Sequence, residues 1–126
     1  MPGGSHLLFI YGTLKRGDVR APLLTGQHDL GNVKTQPRYR LFNTGDYPAL
    51  VEAQPLGLSG RSIEGELWSV DDACLNRLDE EEGVDEGLYE RIAVELIGQP
   101  ETVEAYLYLH PVDGLADCGD HWPIER

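Results

Sequence analysis

The chain has 126 residues, the size of one ordinary domain. Apolar residues make up 40% and charged residues 25%, which excludes a disordered chain, a coiled coil and a collagen-like fibre, while 15 glycines and 8 prolines predict short elements joined by many turns. The net charge is −12, so phosphate backbones and anionic lipid would be repelled, and neither nucleic acid nor a membrane is expected as a partner.

In chain order, His6 to Tyr11 is an apolar, aromatic run ended by Gly12, the pattern of a buried strand stopping at a turn. Lys15 to Gly31 is irregular, with a short helix fitting at Pro22, where proline suits the first helical position. Strands are expected at Tyr39 to Phe42 and Ala49 to Glu52, divided by the turn residues Asn43, Gly45 and Pro48. Ile63 to Val70 alternates as a strand with one mostly polar face. Asp71 or Asp72 then caps a helix whose apolar stripe is Val70, Cys74, Leu75 and Leu78, running to about Glu81 and ended by Gly83. Tyr89 to Ile97 and Thr102 to Leu109 complete the strands, and residues 113–126 read as an irregular tail of a single domain spanning 1–126. This is an α+β pattern.

The charge is uneven. Residues 1–60 carry +2 and residues 61–126 carry −14, ordinarily the mark of a solvated acidic face. Cys74 and Cys118 are too few for a disulfide framework and lack metal spacing, which suggests a reducing, cytoplasmic location. The apolar run at Leu7 to Tyr11 is far short of the ~18 residues of a membrane span.

Nucleotide, metalloprotease and nucleophile-elbow motifs are missing from the sequence, and the four histidines are scattered, so no cofactor and no metal are expected. Two features remain. The turn Tyr11-Gly12-Thr13-Leu14, followed by Lys15 and Arg16, is either an anion cradle built from backbone N–H groups or a plain turn with solvated cations. The run Asp79-Glu80-Glu81-Glu82 faces the negative end of its helix, where repulsion and the helix dipole, and burial of any one of the four, would push carboxyl pKa values up toward the range a general acid/base needs. A frayed, solvated helix end would carry the same residues.

In order along the chain, five segments resemble the γ-glutamylcyclotransferase-like family. They are Phe9-Ile10-Tyr11-Gly12-Thr13-Leu14-Lys15-Arg16-Gly17, Tyr47-Pro48-Ala49-Leu50-Val51, Ile63-Glu64-Gly65-Glu66-Leu67-Trp68, Leu78-Asp79-Glu80-Glu81-Glu82-Gly83 and Leu88-Tyr89-Glu90-Arg91. The short chain resembles the compact AIG2-like branch, which includes γ-glutamylamine cyclotransferases. The resemblance implies a mixed sheet closed into a small β-barrel with flanking helices. It also implies a catalytic acid/base at Glu82, a substrate-binding loop at Tyr11, Gly12, Thr13 and Leu14, and Tyr89 in the pocket wall, with Arg91 ordering its strand or touching substrate. The implied reaction releases 5-oxoproline from a small γ-glutamyl substrate by attack of its α-amine on its own γ-carbonyl. The alternative is a non-catalytic barrel that binds or senses γ-glutamyl-like ligands.

Overall fold

The computed structural model describes residues 5–122 apart from Val19 and Asp46. Its strands are β1 (Ser5–Ile10), β2 (His28–Lys34), β3 (Tyr39–Asn43), β4 (Pro48–Glu52), β5 (Glu64–Asp71), β6 (Tyr89–Val94), β7 (Val103–Tyr108) and β8 (Ala116–Gly119). One α-helix, α1 (Asp72–Glu81), follows β5, and 3₁₀ turns lie at Ala21–Leu24 and Gln54–Leu56. Five strands form a mixed sheet in the order β2-β5-β1-β7-β6, with β1 and β7 parallel, and three form a smaller sheet in the order β4-β3-β8.

β1 is apolar from Leu7 to Ile10, where both its faces are covered. Leu8 and Ile10 pack with Trp68, Val70 and the α1 residues Cys74, Leu75 and Leu78. Phe9 and Tyr11 point the other way, into a core shared with Leu41 and Leu50 of the small sheet. The helix is fixed as its sequence suggests: the Asp71 carboxylate accepts the Cys74 N–H at 2.8 Å, a cap worth about 1 kcal/mol.

Four expectations are corrected. β5 is covered on both faces, with Gly65, Glu66, Leu67, Trp68 and Val70 all buried, because Leu67 packs into the core shared with the small sheet while Trp68 and Val70 pack with α1. β2 falls within and beyond the segment read as irregular; it is a largely exposed edge strand with a register shift between Asp29 and Asn32, so it shows no apolar alternation. Residues 116–119, placed in the irregular tail, form β8 on β3, while 123–126 lie outside the described residues. Finally, the strand ladders do not close into a barrel, and there is one α-helix among the described residues. The large sheet coils until its edges touch at a single bridge, Thr35 to Leu96, flanked by Gln36 N–H to Glu95 O (2.8 Å) and Ile97 N–H to Lys34 O (2.9 Å).

Gly65 shows how tightly β5 lies on β1. A Cβ there would sit 2.6 Å from the Ile10 carbonyl oxygen and 2.7 Å from the Phe9 ring. Gly65→Ala is expected to destabilise the fold by about 1–3 kcal/mol, seen as a lower denaturant midpoint with an unchanged m-value.

Candidate active site

The site begins where β1 ends. Tyr11 is buried and its hydroxyl donates to the Tyr106 carbonyl of β7. Gly12 passes so close to β4 that a Cβ would lie 2.8 Å from Pro48 Cγ, so no larger residue fits without moving that proline. The turn closes through Lys15 N–H to Gly12 O (3.0 Å) and Arg20 N–H to Thr13 O (2.8 Å). Its far end is held by Glu66, whose buried carboxylate accepts the Arg16 N–H on both oxygens (3.1 and 3.2 Å) and the Trp68 indole N–H (3.0 Å). Among the described residues, the N–H groups of Gly12, Thr13 and Leu14 have no acceptor. Lys15 and Arg16, which the sequence offers as cations for the same cradle, turn elsewhere. Lys15 donates to the Trp122 carbonyl, and the Arg16 side chain reaches Asp29 and Asn32.

The acid run divides by burial. Asp79 takes Arg91 through Nε (3.0 Å) and Nη2 (3.2 Å) and accepts the Tyr106 hydroxyl at 2.6 Å. Arg91 also donates to Glu104 at 2.6 Å, so it ties α1 to β6 and β7 and lies off the cavity wall. Glu80 and Glu81 are exposed. Glu82, 8% exposed, is turned inward at the helix end. Gly83 follows at φ +65°, with Gly83 N–H on Glu80 O (3.1 Å) and Val84 N–H on Asp79 O (3.0 Å), a left-handed termination that glycine allows.

Glu82 Oε1 accepts from Arg20 Nη2 at 3.1 Å, and Arg20 Nε donates to Thr13 Oγ1 at 2.7 Å. Burial raises the Glu82 carboxyl above its ordinary value; Arg20 opposes this by charge and hydrogen bond, and Glu81 adds a smaller upward push. The direction is the one read from the sequence, and of the three causes offered there burial is the largest, while the acid run contributes a smaller push through Glu81.

The turn, Arg20, Tyr47, Pro48, Glu82, Tyr89 and Tyr106 line one cleft. All six residues singled out in the sequence, Tyr11, Gly12, Thr13, Leu14, Glu82 and Tyr89, border it. The Tyr89 hydroxyl donates to Pro48 O at 2.7 Å, and burial raises its pKa so far that it stays a neutral phenol. Sequence reasoning missed Arg20 and Tyr106. Arg20 stood in a stretch with no periodicity, and Tyr106 looked like the polar side of an alternating strand. The described lining holds one carboxylate and neither histidine nor cysteine, too poor a donor set for a metal ion.

A family model described as gamma-glutamyl cyclotransferase, AIG2-like, matches residues 8–123. The chain belongs to this family. A Vibrio cholerae protein, provisionally named a gamma-glutamylcyclotransferase, is 35% identical over 115 residues, covering 91% of this chain and 94% of the relative. A similarly named Methanocaldococcus jannaschii protein is 30% identical over 118 residues, covering 90% and 93%. The crystal structure of an AIG2-like protein from Mus musculus superposes with a TM-score of 0.77 at 21% identity, covering 94% of this chain and 88% of the mouse chain, a likeness of fold. Among the described residues of this family member, no helix is long and apolar enough to cross a membrane.

The raised Glu82 pKa has a consequence for stability. Folding favours its neutral form, so its contribution is complete below the ordinary glutamate value of about 4.3 and is lost as pH rises through the higher folded value. Arg20, with its side chain 27% exposed, can be rehydrated if its partner is removed. Glu82→Gln is expected to melt close to wild type at about pH 4 and at a higher temperature than wild type at about pH 7–8, measured by calorimetry across pH.

Proposed function

We propose that the protein is a cyclotransferase that converts a γ-glutamyl amine or related γ-glutamyl compound to 5-oxoproline and the free amine. The observation that carries this reading is the buried Glu82, the one carboxylate among the described lining residues, in a cleft shared with a turn whose Gly12, Thr13 and Leu14 amides have no acceptor among the described residues. Membership in the gamma-glutamyl cyclotransferase, AIG2-like family supports it.

The reaction needs no external nucleophile. The substrate α-nitrogen bonds to the γ-carbon, the γ-carbon to leaving-nitrogen bond breaks, and two protons pass from the α-ammonium to the leaving amine. Holding amine and carbonyl together exploits proximity, where well-oriented intramolecular reactions reach effective molarities of about 10⁵–10⁸ M. An α-ammonium with a pKa near 8 transfers a proton to an ordinary glutamate uphill by roughly 5 kcal/mol, and each unit by which burial raises the carboxyl removes about 1.4 kcal/mol. Glu82 alternates between its two protonation states, taking each proton from the α-nitrogen and returning it to the leaving nitrogen, a role worth about 10²–10⁴ in rate. The turn amides bind a negative oxygen of the substrate or intermediate.

A panel of γ-glutamyl amines, γ-glutamyl dipeptides and glutathione, followed by mass spectrometry of 5-oxoproline, tests the reading. Glu82→Gln is expected to lose at least about 10²-fold in kcat while still binding 5-oxoproline, whereas Glu81→Gln stays within a few-fold of wild type. Full activity in Glu82→Gln, or loss confined to Glu81→Gln, removes Glu82 from this role. Saturable 5-oxoproline binding with no turnover across the panel favours a ligand-binding protein instead.

A further inference from the structure

A γ-glutamyl substrate brings two groups into the cleft besides its scissile amide, an α-ammonium and an α-carboxylate on the same carbon. Whatever receives the carboxylate must therefore lie beside whatever handles the amine. Among the described lining residues, Arg20 is the one basic side chain, and its Nη2 lies 3.1 Å from Glu82 Oε1.

The guanidinium also has capacity to spare. Of its five N–H groups, Nε is committed to Thr13 Oγ1 and one on Nη2 to Glu82, while Nη1 approaches only the exposed Glu81, at 3.8 Å, beyond hydrogen-bond length. The bond to Thr13, together with Arg20 N–H on Thr13 O, fixes the base of the side chain to the substrate-facing turn, so the fork is preset. A planar guanidinium with free donors suits a bidentate carboxylate. The other nearby cations are taken, Lys15 by the Trp122 carbonyl and Arg16 by Asp29, Asn32 and Glu66.

Building on the proposed cyclotransferase reading, we propose that Arg20 is the receptor for the substrate α-carboxylate, leaving the free amides of Gly12, Thr13 and Leu14 for the oxygen of the attacked γ-carbonyl. The substrate carboxylate then shares the guanidinium with Glu82 through its free donors, which lessens the positive charge acting on Glu82 as the α-amine arrives, and product release restores it. The remaining groups that act electrostatically on or with Glu82 are Glu81 and the phenols of Tyr11, Tyr89 and Tyr106, so Arg20 supplies the positive charge in this set.

The test compares 5-oxoproline with 2-pyrrolidinone, which has the same lactam ring without the carboxylate, by calorimetric binding to the full chain. Wild type is expected to prefer 5-oxoproline by about 10–150-fold, the worth of hydrogen bonds to a charged group. Arg20→Gln is expected to bind the two within about threefold and Arg20→Lys to fall between. Equal wild-type affinity for the two ligands overturns the proposal without any variant, as does a folded Arg20→Gln that keeps the wild-type preference. Binding of these products does not depend on turnover, so failure of the cyclotransferase reading is seen separately, in the absence of 5-oxoproline from every γ-glutamyl compound. Where turnover is present, replacing a γ-glutamyl amide by the 4-aminobutanoyl amide of the same amine lowers wild-type kcat/KM at least about tenfold and Arg20→Gln by much less.

Discussion

The cleft depends on one buried charge that takes no part in it. Glu66 is 5% exposed, and an unpaired carboxylate there would cost several kcal/mol. It is satisfied by the Trp68 indole on its own strand and by the backbone N–H of Arg16, with the Arg16 side chain alongside at 3.4 Å. The register that sets Ile10 opposite Glu66 therefore decides where the chain after β1 must go. It turns back under Glu66, brings Thr13 O to the Arg20 amide and so delivers the guanidinium to Glu82. One buried carboxylate, held by its hydrogen bonds, thus positions the arginine that holds the other.

At Glu82 two opposed effects meet. Burial favours the neutral acid and Arg20 favours the carboxylate, with burial the larger. A group poised between them changes state when either changes, and under the proposed binding mode a ligand changes both, by excluding water and by engaging Arg20. The clamp of Arg91 and Tyr106 on Asp79 keeps the helix end still while this happens, so proton affinity can shift without the carboxyl losing its place.

Much of this was legible in the residues. β1, β3, β4, β7 and α1 follow their apolar patterns closely, and the motif segments hold every described lining residue of the cleft except Arg20 and Tyr106. Glu82 could be named, but its reason could not: four adjacent acids look alike in sequence, and only the fold buries one of them. β2 and β8 were illegible because edge strands with shifted registers bury too few side chains to leave a period. Arg20 was illegible for a related reason, since its partners are 7 and 62 positions away along the chain.

The bridge between Thr35 and Leu96 has a meaning outside the cleft. A strand at the rim of an open sheet offers unpaired N–H and C=O groups on which another chain can add. Here the rims of the large sheet, β2 and β6, are drawn together at that bridge, β2 is broken by a bulge, and the outer strands of the small sheet have five and four residues. The coil that wraps the core thus also covers part of both rims, leaving less free edge on which another chain could add.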